Sequence, residues 1–422
     1  MVVDLAHAWS PETEVQVIGE IAVRTFSHSH ALAEFIEFCL YPGRQAHHGG
    51  SYKFPIYEIL GAAAEEVSVL VVPNLFSDEM NTLSKDKNAA FEFCEAEYYL
   101  AYKDGKLAGR VAAIINHKAN NKWGKKSVRF GWIDFIDDRE VSKALLDAVE
   151  KYGKEKGMED MVGPLGFTDM DPEGMLTWGF DQLGTMPTIY NYPYYPEHIE
   201  ALEGFEVDNK YVEFKIMVPD TIPEKYAKIA MMIEKRYNLH VRKLTKKEVF
   251  QGGMGQKIFD LINDTYKDLY GYSELSQKQI DQLIKSYLGF LDFNLITCIE
   301  DWTDGEHKLI GVGITMPSLA HALRKCRRGR LLPFGWYHVL RAIKQHKTNI
   351  VDLLLIGILP EYRAKGANAL LFADLIPWYQ KYGIEWGETQ VELETNAGVQ
   401  GQWGALTPVM HKRRKCYKKI IK

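Results

Sequence analysis

Read for its alternation of apolar and polar positions, the chain predicts one run of elements twice. Residues 97–103 and 107–117 alternate as two strands around Asp104-Gly105, a dipeptide suited to a hairpin because both positions tolerate positive φ. A third strand is predicted over 128–135. Asp137-Asp138 then opens a helix whose inward side carries Val141, Leu145, Ala148 and Tyr152, and Gly157 ends it. About 200 residues later the order returns. Strands at 294–300 and 308–316 flank Asp304-Gly305, and an almost unbroken Leu/Ile run predicts a buried strand over 352–359. A helix follows from near Lys365 to a stop at Gly383. Both helices run into a glycine, an apolar residue and a glutamate, Gly157-Met158-Glu159 and Gly383-Ile384-Glu385.

Other stretches fill in around this repeat. Residues 15–25 read as an opening strand, and 31–40 as a helix ended by Pro42-Gly43. Residues 209–218 and 389–393 read as strands, and 245–270 and 275–291 as helices. A duplicated βββα unit implies two domains of one fold. The expected boundary falls after Gly204-Phe205, giving domains 1–205 and 206–422. Two domains also suit 422 residues, more than one core usually supports.

The chemistry differs between the copies. In the second, Arg363-Ala364-Lys365-Gly366-Ala367-Asn368 joins strand to helix. Consecutive backbone N–H groups and the positive end of a helix make a cradle for phosphate there. Gly366 lets the main chain approach an anion, and Arg363 and Lys365 can add charge. The first copy has Ile136-Asp137-Asp138-Arg139-Glu140-Val141 at this point. Its three acids repel a pyrophosphate and no glycine opens the backbone, so this copy is not expected to bind CoA.

The strand and the turn at 363–368 resemble the acyl-CoA motif of the GNAT (Gcn5-related) N-acetyltransferases, Q/R-x-x-G-x-G/A at a helix start. Arg363 and Gly366 match, and Asn368 departs, standing where Gly or Ala is usual. The resemblance implies an α/β fold of two GNAT-like domains, each a mixed, mostly antiparallel sheet flanked by helices. It implies acetyl-CoA or another acyl-CoA as co-substrate, held by the strand edge at Ile358, by Arg363, Ala364, Lys365, Gly366, Ala367 and Asn368, and by Asn396, which matches the Asn ending the family's closing strand. The implied reaction is transfer of the acyl group to an amine. Glu392 and Glu394, read as lying on one side of their strand, are candidate general bases. Tyr190–Phe205 resembles the family segment whose tyrosine protonates the leaving thiolate, which makes Tyr194 and Tyr195 candidates although they lie in the other copy. Tyr266, Tyr270 and Tyr272 are candidate acceptor contacts, with core packing as the plainer reading. Two other readings stay open: a Fem-type transferase drawing on aminoacyl-tRNA, and a binding protein that kept the fold without the chemistry.

Composition narrows the partners. A net charge of −5 gives no global attraction to nucleic acid. Yet residues 317–349 hold eight lysines and arginines and no acid, and 411–422 is similarly basic. Arg324, Lys325, Arg327, Arg328, Arg330, Arg341, Lys344 and Lys347 are therefore expected to meet a small anionic ligand: the CoA 3′-phosphate, an acidic acceptor or a lipid headgroup. Leu331-Leu332-Pro333-Phe334-Gly335-Trp336 gives this insert an apolar anchor. No signal peptide or apolar run long enough to span a bilayer is visible. Five scattered cysteines suggest reduced thiols in a cytoplasmic protein and no zinc site. His28, His30, His47 and His48 are close in sequence, but lack carboxylate or cysteine partners at ligand spacing; they are expected to be loop histidines.

Overall fold

The structure, a computed structural model, describes residues 15–18, 21–25, 32, 35–36, 70–288 and 291–422. Where alternation predicts one strand over 15–25, there is an antiparallel pair, β1 (Val15–Ile18) and β2 (Ile21–Thr25). Of the helix predicted over 31–40, Leu32, Phe35 and Ile36 are described, helical and buried. The four clustered histidines lie outside the described residues.

β3 (Cys94–Lys103) and β4 (Lys106–Asn116) form the expected hairpin, with Asp104 and Gly105 at φ values of 51° and 71°. β5 (Ser127–Phe135) follows, then α1 (Arg139–Glu155). β6 (Asp160–Gly163), β7 (Met175–Trp178) and α2 (Tyr194–Ala201) complete the first set. The chain continues through β8 (Phe205–Met217), α3 (Glu224–Tyr237) and β9 (Leu239–Arg242). The single helix expected over 245–270 is broken. A short helix, Lys246–Phe250, stops before Gly252-Gly253, and α4 (Met254–Tyr266) starts after Gly253, whose φ is 76°. Then come β10 (Ile296–Asp301), β11 (Lys308–Pro317), α5 (Gly335–Gln345), β12 (Ile350–Ile358) and α6 (Asn368–Tyr382). The strand expected over 389–393 is divided between β13 (Trp386–Thr389) and β14 (Glu392–Leu393). β15 (Pro408–Ile420) follows these.

These strands make one sheet in the order β1-β2-β3-β4-β5-β6-β15-β8-β13-β12-β11-β10-β9, with β7 added to β15 and β14 to β8. Among the described strands only two neighbouring pairs are parallel, β5 with β6 and β12 with β13. Each closes one copy of the repeat, and the duplication read from the sequence is a physical one. The copies also exchange strands. β8 leaves the first set and pairs with β13 of the second, while β15 pairs with β6 of the first. Tyr417 and Ile421 accordingly lie in the first core beside Phe130 and Val149. β15, from the far end of the sequence, thus adds to the sheet and the core built by residues before Phe205.

That strand corrects the reading of 411–422 as a positive surface. Lys412 and Arg414 are buried against Glu213, with Lys412 Nζ also 2.6 Å from Glu388 Oε1. Arg413, Lys415, Lys418, Lys419 and Lys422 pair with Glu394, Glu200, Asp160, Glu150 and Glu159. The charges neutralise a fixed set of acids, so they present no free cationic face. Cys94, Cys298, Cys326 and Cys416 are buried free thiols, as their spacing suggests.

Candidate active site

β12 and β13 run side by side only from Ile350↔Trp386 to Leu353↔Thr389. There β13 ends, and the chain steps over to pair β14 with β8 at Glu392↔Val212. β12 continues to Ile358 with β11 alone, leaving its other edge open. A slot results, walled by α4 on one face of the sheet and by α6 on the other. α4 rides close on β12, since a Cβ on Gly357 would come within 2.7 Å of Thr265 Oγ1. Tyr266 caps the open edge. Its hydroxyl accepts from Ile356 N–H (3.3 Å) and donates to Ile356 O (3.1 Å).

The slot leads to the turn at 363–368. Gly366 has a φ of 81°, in the left-handed region where a side chain is strained. Lys365 and Gly366 N–H bond back to Tyr362 and Arg363 carbonyls. Ala367 and Asn368 N–H have no acceptor among the described residues, and no side chain caps α6. Two free amides at the positive end of a fifteen-residue helix can receive an anion. Arg363 holds the turn in place, donating to Ile358 O (2.8 Å) and Thr265 O (3.2 Å). Lys365 lies over the rings of Tyr362 and Tyr237, at 4.3 and 5.2 Å. Asn396 caps the short helix Ala397–Gln400 by accepting from Val399 N–H. The following turn packs Trp403 against Phe372 of α6.

Glu392 stands between these walls. Its Oε1 accepts from Trp403 Nε1 (2.9 Å), and its Oε2 has no partner among the described residues. Burial pushes its carboxyl up to about 7. Burial also raises the Tyr266 phenol to about 12, with the Glu392 charge adding to it. Glu394 is exposed and pairs with Arg413 at 3.3 Å. β14 is only two residues long, so strand alternation does not carry from Glu392 to Glu394, and the two do not share a side.

Two more carboxylates sit where the strands part. Asp352 and Glu388 are register partners, and both are fully buried. Glu388 accepts from Lys412, whereas neither Asp352 oxygen has a partner among the described residues. Burial, with the Glu388 charge beside it, pushes Asp352 up to about 7. Sequence reasoning passed over this pair, although an aspartate inside the apolar run Val351–Ile358 was a visible signal.

No protein-family model matches the chain. Among curated proteins it is similar to the bacterial ceramide synthase of Caulobacter vibrioides (strain NA1000 / CB15N). They are 26% identical over 301 residues, covering 70% of this chain and 75% of that protein. Protein YghO of Escherichia coli (strain K12) is 24% identical over 355 residues, covering 83% and 88%. Among solved structures, a tandem GNAT protein from the clavulanic acid biosynthesis pathway superposes with a TM-score of 0.51 at 11% identity. It covers 96% of this chain and 99% of its own. The fold is the tandem GNAT fold. A GCN5-related glucosamine N-acetyltransferase region of a fungal GH3 β-N-acetylglucosaminidase superposes with a TM-score of 0.50 at 10% identity, over 95% of this chain and 38% of that one.

The first GNAT unit has the same parting of parallel strands, after Arg129↔Val162, but fills it with its own atoms. Leu165 N–H bonds to Phe130 O at 3.0 Å, and a Cβ on Gly131 would lie 2.4 Å from Leu165 O. Tyr195 and Tyr194 take up Phe135 N–H and Phe135 O, and Tyr195 stacks on the Phe135 ring at 4.2 Å. The structure thus leaves Tyr195 in the first core, away from the 363–368 turn. At the first unit's own turn, Asp138 already accepts from Glu140 and Val141 N–H and pairs with Lys103. Titration of the full chain with CoA is expected to show one site per chain by calorimetry; two sites of similar affinity would overturn this assignment.

The basic insert does not border the turn. It enters β12 at Ile350, the opposite end of the strand from 363–368, roughly 25 Å away at about 3.3 Å per residue. Adjacency in sequence had suggested proximity, but the nine-residue strand between them separates the two.

Proposed function

We propose that the second GNAT unit transfers an acyl group from acyl-CoA to the amine of a long-chain amino alcohol. The observation that carries the acyl-transfer reading is the slot beside β12, which has a free-amide turn at one end and a buried, half-satisfied carboxylate within it. The ceramide synthase relative supports the acceptor class, since a ceramide is the amide of such an amine with a fatty acid. The same likeness favours a long acyl chain over acetyl. The residues fit the co-substrate: the turn offers Ala367 and Asn368 N–H to its pyrophosphate, and its arm would have to displace the Tyr266 hydroxyl from Ile356 to pair with the β12 edge.

Acyl-CoA supplies the thioester carbonyl that the amine attacks, and the C–S bond breaks as the C–N bond forms. Glu392 Oε2 takes the proton that the ammonium must lose; a carboxyl near neutrality is matched to that task. Tyr266, protonated at all physiological pH values, can return a proton to the departing sulfur.

The test is release of free thiol from acyl-CoAs of increasing chain length, with a sphingoid base as acceptor and the amide identified by mass spectrometry. Amide formation with palmitoyl-CoA exceeding that with acetyl-CoA is expected. Thiol release with no amide, or transfer to small amines alone, would remove this acceptor class.

A further inference from the structure

We infer that the insert between β11 and β12 is a docking face for the surface of an anionic lipid bilayer. Leu332 and Phe334 are 75% and 74% exposed. On α5, Trp336, Tyr337 and Leu340 continue the same outward apolar face, while Ala342 and Ile343 turn inward to the core. Five large apolar side chains on one short stretch form a patch that a soluble surface rarely carries without a partner.

The stretch is held in place. A Cβ on Gly335 would lie 2.4 Å from Arg330 O, and one on Gly329 would lie 2.2 Å from Asn74 O. The Arg330 guanidinium sits 4.1 Å from the centre of the Phe76 ring. The apolar tip is thus presented on a rigid support.

Charge decides what covers it. Arg324, Lys325, Arg327, Lys344 and Lys347 have no ion pair among the described residues, in contrast to 411–422. Aromatic and aliphatic side chains ringed by cations, with no acid in the segment, match an interface of acyl chains beneath anionic headgroups. Beside α5 opens a pocket of 590 Å³ lined by His321, Arg324, Lys325, His346, Lys347 and Tyr382. Two acids border it: Asp292 accepts from the Tyr382 hydroxyl (2.8 Å) and lies 3.4 Å from His346 Nε2, and Glu385 accepts from the Asn349 side chain (2.8 Å). The remaining cations are free to take a lipid phosphate.

The proposal is independent of the acyl-transfer reading, because membrane retention is scored without turnover. The full chain is sedimented with vesicles of phosphatidylcholine alone or mixed with phosphatidylglycerol, across a salt gradient. Retention on the anionic vesicles is expected at low salt and should weaken as salt screens the cations. Leu332→Asp/Phe334→Asp should lower it on the order of tenfold or more. Lys325→Gln/Lys347→Gln, which alters no apolar position, should lower it on the anionic vesicles alone. All variants should keep the parent melting temperature, since the positions are exposed. No retention at low salt, equal retention on neutral vesicles, or undiminished retention of the first variant overturns the proposal. So does ultracentrifugation showing that this face instead joins two copies of the chain.

Discussion

Replacing Glu392 with glutamine is expected to lower the rate of amide formation by on the order of 10²–10⁴, the range set by loss of a general base, while leaving CoA affinity unchanged. The substitution keeps shape and keeps an acceptor for Trp403 Nε1, so the fold survives. The pH dependence carries the sign. Burial holds the carboxyl at about 7, so the parent's rate should rise with pH through that value as the base becomes available. The stability effect runs the other way. An acid whose folded value is raised favours the native state fully only below its unfolded value. That advantage disappears as pH rises through about 7. Glu392→Gln should therefore melt higher than the parent at pH 8, by roughly 3 kcal/mol at most, and no higher at pH 4. An active glutamine variant, or a rate flat between pH 5 and 8, would remove Glu392 from the reaction.

Glutamate in place of Gly366 should abolish CoA binding. The backbone there has a φ of 81°, so any side chain carries strain of about 1–2 kcal/mol. A Cβ would meet Ile229 Cγ2 at 3.3 Å, a flexible neighbour that can yield, so folding should persist. The added carboxylate would sit on the anion cradle, where a like charge about 5 Å away costs several kcal/mol at an effective dielectric near 20. A loss of affinity of about a hundredfold or more should follow. Gly366→Ala has the same strain without the charge, and its affinity should fall much less. Calorimetry on both variants decides: parental affinity in Gly366→Glu would place the pyrophosphate elsewhere.

Much of the fold was legible because the hydrophobic pattern repeats. Asp104-Gly105 and Asp304-Gly305 mark equivalent hairpins, and the Leu/Ile run before Arg363 marks the strand that borders the slot. Glycine and charge at the turns told the two units apart. Three things were hidden. β15 reads as a basic tail because Lys412 and Arg414 are buried against acids more than twenty positions away in sequence, which no local pattern encodes. Tyr266 reads as one aromatic among several until α4 is set on Gly357. Asp352 was passed over because an apolar run draws attention to its hydrocarbon rather than to its single carboxylate.

The exchange of β8 and β15 has a consequence for synthesis. Residues 408–420 are translated after every other strand in the sheet, yet they form the seam between both units. Until that seam arrives, β6 and β8 keep open edges, and the first core lacks Tyr417 and Ile421. Neither half can finish folding as it leaves the ribosome, unlike chains whose domains mature one after another. The nascent protein must wait with unpaired edges exposed, a state prone to aggregation. When the seam closes, β6 and β8 are both paired and the sheet runs unbroken from one unit to the other.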